Sequence, residues 1–508
     1  MSQQMKKTNI RITVVGLLLA LLLVSLDSTI LATAVPTIVA KLGGLEQMAW
    51  VFSAYLIASV AGMPVFGKLS DMYGRKLFFL TGLILFLLGS GLCGSARTMV
   101  ELIVYRAIQG IGGGALMPVI FTIIYDIFPP EKRGKMQGLF GAVFGLSSVL
   151  GPLAGAFFID YIHWRWIFFI NLPLGFIALL MILLCYHESL GKSKQKIDWA
   201  GTAAFIASIV CLMFTLEMGA RDYAWNSPFI VGLSALSAIL LLLFVWIERK
   251  VSDPLVPLSL FKNNLFASSM AIGFLYGMVL MAGASYIPLF VQGVFGGSAT
   301  NAGTIITPMM IGLVISSVLG GVIVRRTAYR NVMLCSVAFL LTSLCLLCTI
   351  SAETERWVVT CSMILMGLGI GASYPVTSMA AQHRIEFQQR GTVNSLVRFS
   401  QSVGNTMGIV VLGGLQSGYL KRHFAAILPD PTMADRFGNP QVLLQDHVRQ
   451  TIPPALLGKL TGVLADSISL MFQWAIPIGV LAGVFILLMG KTRMYTLSDV
   501  REKKRVSP

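Results

Sequence analysis

Charge is scarce in this chain. Only 12% of its 508 residues are Asp, Glu, Lys or Arg, where a soluble chain carries about 25%. No stretch between Ile12 and Met489 is polar enough, at sufficient length, to fold as a soluble domain. Histidine is sparse as well. His163, His187, His383, His423 and His447 lie scattered in loops and form no ligand cluster, so no metal ion is expected. The phosphate-cradling pattern G-x-x-x-x-G-K-[ST] is absent, which removes ATP as the energy source. The seven cysteines are odd in number and all fall in apolar runs, which argues against a disulfide framework. Cys345 and Cys348 form a C-x-x-C inside such a run and read as packing rather than redox chemistry. No enzyme signature and no cofactor are expected.

Apolar residues are what the chain has instead. They make up 56% of it, and the mean hydropathy is +0.79. A membrane span needs about 20 mostly apolar residues. Fourteen such runs are expected: 12–35, 48–66, 77–96, 99–124, 136–159, 167–186, 199–216, 228–247, 265–291, 300–324, 332–350, 357–379, 393–415 and 468–489. The first imitates a secretory signal, with Lys6, Lys7 and Arg11 before it and Ala32-Thr33-Ala34 near its end. Asp27 interrupts it and thirteen further spans follow, so it reads as a retained first helix.

The net charge of +16 sits in short segments between the runs. It reads as an orientation signal toward anionic lipid, not as a nucleic-acid footprint. With the N-terminus inside, 27 of the 38 Lys and Arg fall on the cytoplasmic side, counting Arg398 at the cytoplasmic start of span 13, and 10 fall outside. Arg106 lies within a span. This asymmetry places both termini in the cytoplasm. One outside segment, about 416–467, is long. Its short apolar runs, 424–428 and 455–464, suggest helices lying on the outer membrane surface.

An internal repeat is present. Gly110–Val119 (GIGGGALMPV) and Gly367–Val376 (GLGIGASYPV) share six of ten positions at an offset of 257, and Arg133-Gly134 maps onto Arg390-Gly391 at the same offset. Gly67 maps onto Gly321 at an offset of 254. Spans 1–6 therefore correspond to spans 9–14, with spans 7 and 8 inserted. The expected division is an N-terminal six-helix half at 1–190, an inserted two-helix segment at 191–260 and a C-terminal six-helix half at 261–508.

Three groups of residues carry chemistry. The loop after span 2 reads Gly67-Lys-Leu-Ser-Asp71-Met-Tyr-Gly74-Arg75-Lys76. Gly67 permits a close helix approach and Gly74 a tight turn. Asp71 can pair with basic groups or a helix N-terminus and latch that face. Within spans, Asp27 is the one carboxylate well away from either end. Such a group is expensive in the bilayer and is a functional candidate by default. Arg106 in span 4 lies at a similar depth, about 12 Å below the outer surface at 1.5 Å per residue, so the two can pair. Arg106 cannot itself carry protons. Span 5 holds Gly141, Gly145, Gly151, Pro152 and Gly155. Glycines spaced by four make a smooth packing face, and Pro152 favours a bend.

The loop motif resembles the major facilitator signature G-x-L-x-D-x-x-G-R-K at every defined position. Span 5 is similar to the antiporter signature G-x-x-x-G-P-x-x-G-G, with Ala156 in place of its last glycine and Leu150 before Gly151-Pro152. Together with Trp164–Gly175 and the span count, these motifs resemble the fourteen-helix drug:proton antiporter family of the major facilitator superfamily. That resemblance implies an all-α membrane fold of two six-helix halves plus two inserted helices. It also implies export of amphipathic, cationic or neutral drugs in exchange for protons, with Asp27 as proton site and Arg106 as its partner. The alternative is an exporter for one metabolite, antibiotic or siderophore. The expected partners are a small-molecule drug, protons and the lipid bilayer. Relatives that export dications carry further membrane carboxylates. Here Ser53 occupies the corresponding position in span 2, and Glu217, at the outer end of span 7, is the only other candidate for proton coupling.

Overall fold

In the computed structural model, residues 8–44, 47–188, 197–221, 223–296, 299–427 and 452–493 are described. They form α1 (Ile10–Leu42), α2 (Trp50–Tyr73), α3 (Arg75–Ser95), α4 (Met99–Ile127), α5 (Pro130–Tyr161), the single turn α6 (Trp166–Phe169), α7 (Asn171–Cys185), α8 (Trp199–Arg221) and α9 (Pro228–Glu248). After a 3-10 turn at Leu258–Lys262 come α10 (Asn264–Gly293), α11 (Ala299–Ile323), α12 (Tyr329–Leu347), α13 (Arg356–Gly371), α14 (Ser373–Ala381), α15 (Arg390–Ile427) and α16 (Pro454–Leu488). Among the described residues there is no strand, only an isolated bridge between Ala328 and Arg493. Helices dominate because hydrocarbon offers the backbone no hydrogen-bond partner, and a helix satisfies its own.

Twelve helical stretches, with α6 and α7 counted as one and α13 and α14 as one, are long and apolar enough to cross a membrane. They match twelve of the fourteen expected spans. The other two fall on α5 and α15, which are long helices but are absent from that set. α15 is rich in Ser, Gln, Asn and Thr, which dilutes its hydropathy. α1 continues through Ala32-Thr33-Ala34 without a break.

One expectation needs correction. The apolar runs at 424–428 and 455–464 do not begin helices of their own. Phe424 is still inside α15, and Ala455 is already inside α16. No proline interrupts α15, so its 38 residues run on for about 57 Å, well past the ~30 Å hydrocarbon core. The expected span at 357–379 falls on the candidate span Arg356–Ala381. It breaks at Ala372 into α13 and α14, three residues before Pro375, whose ring is incompatible with the carbonyl four residues back. α4 carries the equivalent Pro118 and stays continuous.

The chain divides into two compact units, one of residues 1–267, 378–399 and 495–508, the other of 268–377 and 400–494. Each contains one copy of the glycine series, and the packing repeats with it. In the first unit a Cβ on Gly110 or Gly114 would overlap the carbonyls of Tyr55 and Ser59 on α2, and one on Gly112 would overlap the Phe86 amide on α3. In the second, Gly367 and Gly371 meet the carbonyls of Met309 and Leu313 on α11, and Gly369 meets the Leu340 amide on α12. The partners are offset by 254 in every case (Tyr55 to Met309, Ser59 to Leu313, Phe86 to Leu340). The glycine series is thus a backbone-to-backbone contact surface made twice.

Candidate functional site

Asp27 lies on α1 and Arg106 on α4, each about 1% exposed. Arg106 Nη1 donates to Asp27 Oδ2 at 2.5 Å and to Gln109 Oε1 at 2.7 Å. Arg106 and Gln109 are three apart on α4 and so share a face. Gln109 Nε2 in turn donates to Asp27 Oδ1 at 2.7 Å. Gly89 on α3 lets that helix come against the Gln109 backbone, since a Cβ there would overlap it. Asn171, which opens α7, donates from Nδ2 to Asp27 Oδ1 at 3.2 Å and to Ser90 Oγ at 2.9 Å. The guanidinium is held from its other side by the Val51 carbonyl, 3.1 Å from Nε, and stands 4.4 Å over the Tyr55 ring.

Five helices therefore converge on one carboxylate. Every group bonded to Asp27 is a donor, so the carboxylate serves here only as an acceptor. One positive and one negative charge are buried together; removing either would leave the other unpaired, at a cost of about 3–5 kcal/mol. The expected pairing of Asp27 with Arg106 is present. Glu217 is not brought in: it is half-buried on α8 and is not among the hydrogen-bond partners of Asp27. Behind Asp27, Thr29 Oγ1 donates to the Ser147 carbonyl of α5 at 3.0 Å, and a Cβ on Gly151 would strike Thr29. Of the other span 5 glycines, Gly145 and Gly155 are buried and Gly141 partly so. The motif thus packs α5 against the helix that carries Asp27.

The second constellation surrounds Asp71, near the end of α2. Its carboxylate accepts from the Gly391 amide at 2.9 Å, the Thr392 amide at 2.7 Å and Thr392 Oγ1 at 3.0 Å. These amides lie in the first turn of α15, where backbone N–H groups have no partner within the helix. Asp71 supplies from another helix what an N-cap residue supplies locally, and its charge meets the positive end of the helix dipole. Gly67 and Gly391 make this approach possible. A Cβ on Gly67 would overlap the Ser395 side chain, and one on Gly391 would overlap the Asp71 carboxylate. Arg75 Nη2 donates to Asp71 Oδ1 at 3.0 Å, and its Nε lies 2.7 Å from Asp126 Oδ2. Arg390 Nη1 stands 3.9 Å from the other Asp126 oxygen.

The rest of that loop makes a pair of exchanged helix caps. Gly74 has φ +108°, a conformation open mainly to glycine. Its missing side chain leaves room for Glu188, which accepts from the amides of Arg75 at 2.6 Å and Lys76 at 3.2 Å at the start of α3. Lys76 Nζ donates to the carbonyls of Leu183 and Tyr186, both at 2.7 Å, at the end of α7. Tyr186 lies just beyond that helix, and burial raises its phenol out of reach of ordinary titration, with Glu188 adding to the effect.

Gln109, Asn171, Asp126 and Glu188 escaped the sequence reading as functional residues. Asp126 and Glu188 lie two residues past the expected ends of spans 4 and 6, where a carboxylate looks solvated. Gln109 and Asn171 are neutral, and neutral amides in an apolar run give no charge signal. Asn171 did lie in the noticed segment Trp164–Gly175, but with no partner visible in sequence.

Comparison with known proteins bears on what this arrangement serves. Residues 17–409 match the family model of the Major Facilitator Superfamily. The chain is 47% identical to Multidrug resistance protein 3 of Bacillus subtilis (strain 168), over 98% of both chains. It is 36% identical to Multidrug transporter protein MdtP of the same organism, over 100% of this chain and 98% of the relative. Among solved structures it resembles the human organic anion transporter MFSD10 (TM-score 0.60, 15% identity, 93% of this chain and 100% of the other). It also resembles the proton:xylose symporter XylE (TM-score 0.60, 15% identity, 97% and 98% covered). At that identity the two structures speak for the fold alone.

Proposed function

The chain belongs to the major facilitator superfamily, as a multi-pass membrane transporter among multidrug exporters and not an enzyme, and from this we propose that it is a proton-coupled antiporter. It exports amphipathic cationic or neutral drugs across the cytoplasmic membrane and takes up protons in return. It has fourteen spans, arranged as halves at 1–190 and 261–508 around an inserted pair at 191–260, with both termini cytoplasmic.

The observation that carries this reading is the Asp27 carboxylate, buried against Arg106 and two side-chain amides. Proton carriage by a buried carboxylate needs a protonation state that depends on its surroundings. A cationic drug close to Asp27 favours release of its proton. By linkage, protonation weakens drug binding by the same factor, and this reciprocity is what exchange requires. The Asp71 contact with α15 is the gate: it must break and re-form in each cycle, since Gly391 and Thr392 cannot otherwise move away from α2. Gly74, Arg75 and Lys76 hold the ends of α3 and α7 while that happens. The span 5 glycines keep α5 close to α1.

The test is drug-driven proton release from vesicles containing the purified protein. Drug-stimulated release that vanishes in Asp27→Asn supports the antiporter. Drug flux with no proton movement would overturn it. A panel of dissimilar dyes, run in the same vesicles, separates a multidrug exporter from one dedicated to a single metabolite, antibiotic or siderophore.

A further inference from the structure

We propose that Asn171 is a positioning residue for proton exchange, an amide that turns over with the protonation state of Asp27. The inference rests on the reading of Asp27 as the proton carrier. An ionised carboxylate only accepts hydrogen bonds; once protonated, it must also donate one. A neighbour able to accept is therefore needed in one half of the cycle, and the structure offers few. Arg106 has donors only. Gln109 is committed at both ends, with Nε2 on Asp27 and Oε1 on Arg106. Turned over, it would set its NH2 against the guanidinium.

Asn171 is free of that conflict. Both of its hydrogen bonds to this group come from Nδ2, one to Asp27 Oδ1 and one to Ser90 Oγ. Ser90 is a hydroxyl and can reverse its role. It now donates to the Phe168 carbonyl at 2.8 Å, and that carbonyl keeps the Ile170 amide as a second partner. A half-turn of the Asn171 amide puts Oδ1 where Nδ2 stands. It then accepts from protonated Asp27, and Ser90 can rotate to donate to the same oxygen. Protonated Asp27 thereby gains its acceptor, in exchange for the two acceptors that Asn171 Nδ2 now holds. The 3.2 Å bond from Asn171 is the longest of the three to Asp27, against 2.5 and 2.7 Å for Arg106 and Gln109, so it is the one most easily exchanged. The titratable and charged groups facing Asp27 are Tyr55 on α2, Cys93 on α3 and Arg106 on α4. Among the described residues α5, α6 and α7 add none.

The experiment uses the full-length protein in vesicles, with Asn171→Leu, which can neither donate nor accept, and Asn171→Ser, which can do both. Hydrogen bonds to a charged group are about twice as strong as neutral ones. Losing both roles therefore penalises the ionised state more. The pH of half-maximal drug-driven proton release should rise by roughly half to one unit in Asn171→Leu, about a threefold to tenfold change in proton affinity, and Asn171→Ser should recover most of it. Infrared difference spectra across that pH range should show the carbonyl stretch of protonated Asp27 moving to higher frequency in Asn171→Leu, as a hydrogen bond is lost. A slower Asn171→Leu with the parent pH profile and an unmoved band would reduce Asn171 to a packing residue and overturn the proposal. Failure of the underlying reading looks different: Asp27→Asn would keep its coupling, and the band would be missing from the parent protein too.

Discussion

Asp71 on α2 and Thr392 in the first turn of α15 are joined by two hydrogen bonds, from the Thr392 amide at 2.7 Å and its hydroxyl at 3.0 Å, both to the same carboxylate oxygen. They stand 321 residues apart in the chain. The contact ties the first copy of the loop motif to the start of the helix that repeats α5, and it makes the gate a chemical object that can be weakened by degrees.

Thr392→Val should remove one hydroxyl bond and leave the amide bonds, slowing drug transport by roughly fivefold, for a loss of about 1 kcal/mol. Asp71→Asn removes the charge that faces both the helix end and Arg75, and should slow it further. Equilibrium drug binding by the purified protein should change little in either. Equal loss of binding and transport in a well-folded Asp71→Asn would make Asp71 a substrate contact instead.

Gly67→Ala should impair transport more than a surface substitution does, because the new methyl overlaps Ser395 and crowds the Gly391 carbonyl. Overpacking of this kind costs about 1–3 kcal/mol. Adding Ser395→Gly should return part of the lost rate. If the double variant is no better than Gly67→Ala, the strain lies elsewhere.

Glu188→Gln and Lys76→Met each remove one of the exchanged caps between α3 and α7. Each should lower thermal stability in detergent by about 1 kcal/mol. Both caps hold the same corner, so the double variant should lose less than the sum of the singles. Strict additivity, measured by a double-mutant cycle, would mean that the two caps act independently.

Asp27→Asn should insert normally and lose drug-driven proton release. Arg106→Ala leaves Asp27 buried without its ion pair and should move the pH dependence of transport upward as well as lower stability by about 3–5 kcal/mol. Retained coupling in a well-inserted Asp27→Asn would shift attention to Glu217.

A single cysteine introduced near Lys194, in a variant lacking the native cysteines, should resist an impermeant thiol reagent in whole cells. Ready labelling from outside would contradict a cytoplasmic loop at that point and the fourteen-span arrangement with it.

Sequence alone determined the membrane class, the helical architecture and the glycine repeat. Each depends on local quantities: hydropathy over about twenty residues, the absence of Cβ at fixed spacing, and one carboxylate where carboxylates are costly. It also identified Asp27 and Arg106 as a pair, because equal depth in neighbouring spans can be counted along the chain. What it could not determine is whatever depends on which helix faces which. The Asp71 carboxylate could have met any basic group or helix end, and only the crossing of α2 with α15 at Gly67 and Gly391 selects Gly391 and Thr392. Asn171 is one neutral residue in an apolar stretch until α7 is packed against α1 and α3, where it falls between Asp27 and Ser90. A neutral amide carries no long-range field, so its role exists only at hydrogen-bond distance, and that distance is set by the tertiary structure.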